Sequence, residues 1–188
     1  MPSELPQVWM SFLQDVDDGL GALGVRAPIE LHCIGGFAVA LCYGLERSTV
    51  DLDIFEALPS SALRPLLELA GRGSYLAKKH GLYLDAGSRV ATVPERYVER
   101  LQNFALRNVK HRRLRVLDPY DLALSKLERN IDRDREDVLL LSRVAALDPA
   151  VLRDRYEREV RPFVSGPVSR ADGTMDLWIA MITETRAS

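Results

Sequence analysis

The chain has 188 residues, with 25 Lys plus Arg against 27 Asp plus Glu and a formal net charge of -2. Its composition, 47% hydrophobic and 28% charged with 12 Gly and 10 Pro, excludes a disordered or fibrous chain. Its length is that of one compact domain carrying at most a small extension. The near-neutral balance supplies no global field for nucleic acid, so any polyanion contact is expected from a local patch.

In residues 6–23, Val8, Trp9, Phe12, Leu13, Val16, Leu20 and Leu23 follow helical spacing, and Gly24 is a natural stop. The apolar run 29–34, bounded by Gly35-Gly36, predicts a buried strand, and 37–43 a helix closing at Gly44. Residues 50–55 alternate apolar side chains with Asp51 and Asp53, which is strand periodicity. Two helices, 59–70 and 74–80, and a short strand, 82–85, are expected next. A helix over about 94–106 and a strand over about 113–117 close this first part. Asp118-Pro119-Tyr120-Asp121 supplies an N-cap acceptor, Pro at the first helical position and an acid in the first turn, so a helix is expected from there to about Asn130. Further helices are expected over 133–146, 149–161 and 171–185, broken by Pro162 and Ser165-Gly166-Pro167. The fold class is therefore mixed α/β: a core over 1–117 with a small mixed sheet and flanking helices, and a helical extension over 118–188 packed on it.

The longest uncharged stretch, 31–45, is shorter than a bilayer span, so no membrane helix is expected. Met1-Pro2-Ser3-Glu4 lacks the basic and apolar regions of a secretory leader. Cys33 and Cys42 have no metal-finger spacing and are expected as reduced core thiols of a cytoplasmic protein.

The chemistry concentrates in Gly35-Gly36 and the stretch Arg47-Ser48-Thr49-Val50-Asp51-Leu52-Asp53. Carboxylates at i and i+2 of a strand project from one face and repel each other unless a cation sits between them. Hard oxygen donors suit magnesium or manganese, which takes its other ligands from water and nucleotide phosphates. A Gly-Gly turn ahead of a helix lets backbone amides approach an anion. Each piece alone also suits a plainer reading, a solvated strand face or an ordinary turn; the order and spacing favour the site.

That arrangement, Ile34-Gly35-Gly36 followed by Arg47, Thr49, Asp51 and Asp53, resembles the signature of the nucleotidyltransferase superfamily related to DNA polymerase beta. Asp118, Asp121, Leu122, Leu124, Lys126, Leu127, Arg129, Asp132, Arg133, Arg135 and Asp137 are similar to the region that follows the core in abortive-infection and toxin–antitoxin nucleotidyltransferases, a layout shared by uncharacterised bacterial relatives. The resemblance spans roughly residues 29 to 141. It implies that Asp51 and Asp53 hold the metal, that Gly35, Gly36, Arg47 and Thr49 lie at the nucleotide, and that Lys126 and Asp137 complete the active site. It further implies a third carboxylate on a later strand, for which Asp85 is the candidate.

Lys126 and Asp137 also stand out on their own. Lys126 interrupts an apolar stripe with Leu122, Ala123 and Leu127, and Asp137 shares one with Leu141 and Val144. Such charges either pair locally or touch a ligand. The run from Arg107 to Arg115 carries five positive charges, on Arg107, Lys110, Arg112, Arg113 and Arg115, and is expected either to recruit an acceptor such as RNA or to be a solvated strand edge.

The function expected is metal-dependent transfer of a nucleoside monophosphate from a nucleoside triphosphate to a hydroxyl on RNA, protein or a small molecule, in the manner of a toxin with an antitoxin partner. The alternative is a catalytically silent nucleotide-binding or partner-binding module of the same fold.

Overall fold

The computed structural model describes residues 5–44, 48–86, 91–104 and 109–187, without the side chains of Leu41, Cys42 and Ala187. The chain divides into two units, one drawn from residues 1–89 and 101–116, the other from 90–100 and 117–188.

The first unit is built on a five-stranded mixed sheet. It opens with α1 (Gln7–Ala22), followed by β1 (Ile29–Ile34), α2 (Gly35–Phe37) continued by a π-helical turn (Ala38–Cys42), and β2 (Asp51–Leu58). Then come α3 (Leu63–Ala70), α4 (Tyr75–His80) and β3 (Tyr83–Asp85). After α5 (Tyr97–Arg100), which belongs to the other unit, β4 (Gln102–Phe104) and β5 (Arg112–Val116) complete the sheet. The strand order is β3-β2-β1-β5-β4. β1 is antiparallel to β2 and parallel to β5, β2 is parallel to β3, and β4 is antiparallel to β5.

The pleat sorts the side chains. Leu31, Cys33, Leu52, Ile54, Leu84, Leu114 and Val116 are buried on one face, against the apolar stripe of α1 formed by Trp9, Phe12, Leu13, Val16 and Leu20. Asp51 and Asp53 alternate with Leu52 and Ile54 and take the other face. The β1–β2 register slips between His32 and Cys33, so that His32 faces Glu56 while Cys33 faces Ile54. This bulge absorbs one extra residue and keeps Glu56 on the polar side while Ala57 returns to the core.

Two expectations are corrected here. The helix expected over 94–106 is a single turn, α5, and Gln102, Asn103 and Phe104 instead pair with Val116, Arg115 and Leu114. The backbone ladder offered by β5 outweighs a local helical pattern. β5 consequently lies inside the sheet, so its arginines do not mark a strand edge.

The second unit is helical: α5, α6 (Pro119–Leu124), α7 (Asp132–Val144), α8 (Pro149–Arg155) with a π-helical continuation (Tyr156–Val160), and α9 (Val168–Ala187). Its core comprises Leu122, Leu127, Val138, Leu141, Leu152, Tyr156, Met175, Trp178 and Ile182. Asp118 caps α6, accepting from the Asp121 amide at 2.8 Å. α6 stops at Leu124 rather than near Asn130, because the next turn tightens to bonds from the Lys126 amide to the Ala123 carbonyl and from the Leu127 amide to the Leu124 carbonyl. Residues 90–100 join this unit through Arg100, whose guanidinium donates to both Asp121 and Glu159. Among the described residues no helix is long and apolar enough to cross a membrane.

Candidate functional site

β2 presents Asp51 and Asp53 on the same face, as their spacing predicts. Thr49 is buried beside them, and its hydroxyl donates to Asp51 Oδ1 at 2.9 Å, which fixes that carboxylate and leaves its second oxygen for another partner. Where β1 runs into α2, Gly35 adopts φ +71°. A Cβ built there would lie 1.8 Å from Asp53 Oδ2, so only glycine lets the turn lie against that carboxylate. Gly36 is the second residue of α2. The glycine turn and the aspartate pair, fifteen and more residues apart in sequence, are thus one structure.

β3 adds a second row. Asp85 is the register partner of Asp53 and Tyr83 that of Asp51, so all four share the polar face of two parallel strands about 4.8 Å apart. Burial first, and then the Asp51 and Asp85 carboxylates, push the Tyr83 phenol above its ordinary value, while Arg72 opposes them. Among the described residues no group of three or more His, Cys, Asp or Glu side chains is placed to hold a metal ion. A cation on Asp51 and Asp53 would therefore take its remaining ligands from water and substrate, which is how magnesium is commonly held in phosphate-handling sites.

Farther along the same face, His32 is fully buried, with Nε2 3.0 Å from Glu30 Oε1 and Nδ1 3.4 Å from Glu56 Oε2. Arg115 reaches Glu30 at 3.6 Å and donates to the Leu101 carbonyl. Sequence reading finds no pattern for His32, because its partners are a strand neighbour two residues back and a cross-strand residue.

The basic run is divided by the pleat. Lys110 and Arg113 are exposed and Arg115 is half-buried, but Arg112 is 2% exposed and donates through Nη2 to the Leu13 carbonyl of α1. Its burial pushes the guanidinium down to about 10. Arg112 is thus corrected from an acceptor contact to an interior residue, since it shares the apolar side of β5 with Leu114 and Val116. Asp17 of α1 accepts from the Lys110 and His111 amides at 2.8 and 2.9 Å and anchors the start of this strand. Arg47 and Arg107 lie outside the described residues.

In the helical unit, Lys126 and Asp137 are brought together: Nζ lies 2.8 Å from Asp137 Oδ2 and 3.8 Å from Asp134 Oδ1. Arg129 grips Asp134 with two nitrogens at 2.5 and 2.8 Å. A second network joins Arg155 to Asp118 and Asp121, with the Arg155 guanidinium 4.7 Å from the centre of the Tyr120 ring. Burial raises the Asp121 carboxyl despite its arginine partners.

A family model described as "Nucleotidyltransferase of unknown function (DUF6036)" matches residues 12–169, from α1 into α9. No curated protein and no solved structure matches. That span includes the glycine turn, both aspartates of β2, Asp85, Lys126 and Asp137, and the mixed sheet with flanking helices is the fold that such an assignment requires. The chain belongs to this family of nucleotidyltransferases.

Proposed function

We propose that this chain transfers a nucleoside monophosphate from a nucleoside triphosphate to a hydroxyl acceptor, with pyrophosphate leaving. The observation that supports this reading above the others is the fit of Gly35 against the Asp53 carboxylate beside the Thr49-anchored Asp51. A turn that admits no side chain lies directly against one of two same-face carboxylates, which ties the glycine motif and the aspartate pair into one site. Asp51 and Asp53 would hold magnesium or manganese. When bound, such an ion neutralises phosphate charge and fixes the triphosphate for in-line displacement.

The chain's own residues supply the rest. Thr49 holds the Asp51 carboxylate in one orientation, so it is already organised before substrate arrives. Asp85, one strand outward on the same face, would accept the proton of an attacking hydroxyl. Among the described residues of the basic run, Lys110 and Arg113 are the exposed cations available to an RNA acceptor. A protein acceptor and an antitoxin partner fit the toxin–antitoxin resemblance instead.

The test follows the melting temperature during titration with magnesium or manganese, with and without each nucleoside triphosphate. Metal and nucleotide together should stabilise the wild-type protein, and Asp51→Asn plus Asp53→Asn should abolish the response. A response that survives this double substitution refutes the site. Labelled triphosphates offered with bulk RNA, protein and small hydroxyl compounds then read the acceptor, and no transfer at all despite metal-dependent binding would identify a silent module.

A further inference from the structure

Beyond β3, the sheet has one more contact. Gly71 bridges Leu84 in parallel register, so the chain leaving α3 runs beside the outermost strand. No side chain fits there, since a Cβ on Gly71 would stand 2.4 Å from the Leu67 carbonyl oxygen. The close approach sets the next residue, Arg72, beside Tyr83: its guanidinium carbon is 4.5 Å from the ring centroid, and Nη2 donates to the Tyr83 hydroxyl. Tyr83 is the register partner of Asp51 and lies two residues before Asp85 on the same face. Through this register and the ring contact, Arg72 adjoins the row of Asp51, Asp53 and Asp85 on the same face.

We propose that Arg72 binds the terminal phosphates of the nucleoside triphosphate, with Tyr83 as the seat that fixes its plane. The inference rests on the nucleotidyltransferase reading above and assigns it a residue that neither the glycine motif nor the D-x-D pattern includes. A triphosphate laid against Asp51, Asp53 and Asp85 brings more negative charge than a divalent ion on two carboxylates cancels, so a fixed cation at the same face is required. Arginine suits the task because its planar fork of five donors matches phosphate oxygens in pairs. The phenol hydroxyl takes one of those donors, and the guanidinium carbon lies over the ring at 4.5 Å. The side chain is exposed, as a group that must meet an incoming nucleotide has to be.

Binding of manganese tripolyphosphate, a manganese nucleoside triphosphate and a nucleoside monophosphate is measured on the wild type, Arg72→Ala, Arg72→Lys and Tyr83→Phe. Arg72→Ala should weaken tripolyphosphate and triphosphate about tenfold, the scale of a lost charge-assisted contact, and the monophosphate less than about twofold. Lysine should restore only part of the affinity, because a point charge lacks the fork. Tyr83→Phe keeps the ring but not the acceptor and should fall between wild type and Arg72→Ala. Melting temperatures of the Arg72 variants should match the wild type, which separates binding from folding. Unchanged tripolyphosphate affinity in Arg72→Ala, or equal weakening of all three ligands, overturns the assignment while leaving the nucleotide site on Asp51 and Asp53 in place. A wild-type protein that takes up neither tripolyphosphate nor triphosphate refutes the functional reading and this proposal together.

Discussion

The Lys126 ammonium lies 2.8 Å from the Asp137 carboxylate, with the two side chains 4% and 1% exposed. An ion pair this deep keeps two charges out of water, and removing either side chain takes from the other its nearest counter-charge. Lys126→Met and Asp137→Leu should each cost about 3–5 kcal/mol, whereas the double variant should recover most of that loss. Urea unfolding of the four proteins closes the cycle. Additive losses would show that the pair does not act as a unit. The nucleotide affinity of the folded double variant then tests the ligand role that the resemblance implies for these residues, free of the stability effect.

Gly35→Ala addresses the turn beneath the aspartates. Alanine at φ +71° costs about 1–2 kcal/mol in backbone strain, and its Cβ would overlap Asp53 Oδ2, so the carboxylate has to move. The expected outcome is a folded protein of lower melting temperature whose stabilisation by manganese is lost or strongly reduced. A variant that melts lower but keeps the full metal response would separate the turn from the site.

What the sequence makes legible here is whatever depends on short-range period. Asp51 and Asp53 share a face because they are two residues apart, the Asp118-Pro119 cap is local chemistry, and Lys126 is conspicuous because it breaks an apolar stripe. Non-local pairing is not written in spacing. Residues 97–104 have an amphipathic look, yet Gln102 to Phe104 are drawn into a ladder with residues 114–116. Tyr83 and Arg72 meet the aspartates only through strand register and the Gly71 bridge. The charge of Arg112 groups with its neighbours in sequence, while the alternation Arg112, Leu114, Val116 sets it on the apolar side.

Asp134 gives a pH prediction. Burial alone would raise its carboxyl, but the Arg129 hydrogen bonds, the Lys126 charge and the Ile131 amide together hold it below the usual aspartate value. A folded value beneath the unfolded one means that the contribution is fully present above about pH 4 and is lost as pH falls through the lower folded value. Replacing Arg129 with Gln removes the bidentate partner, so the Asp134 carboxyl should titrate at higher pH, and the stability lost on acidification below about pH 4 should be smaller than in the wild type. Carbon-detected NMR titration reads the first effect and urea midpoints between about pH 5 and 2 the second. An unchanged titration in Arg129→Gln would assign the shift to Lys126 and the backbone instead.

Arg112 supplies the last prediction, and its sign is opposite to that of most buried substitutions. The guanidinium is 2% exposed, donates to the Leu13 carbonyl, and leaves Nε and Nη1 buried without a hydrogen-bond partner among the described residues. Burial lowers it to about 10, so near neutrality the folded protein holds a charge that the unfolded chain would keep more comfortably in water. For a base lowered on folding, this cost is present below the folded value and shrinks as pH rises above it. Arg112→Met has similar length, no charge and no orphan donors, and should stabilise the protein at pH 7 by about 1–3 kcal/mol, net of the lost bond to Leu13. The gap should narrow at pH above about 10, where the wild-type side chain begins to lose its proton. Arg113→Met, on the exposed side of the same strand, should leave stability within about 0.5 kcal/mol of wild type. Urea unfolding at the two pH values decides the matter: a destabilised Arg112→Met would show that the tie between β5 and the α1 carbonyl outweighs the burial of its charge.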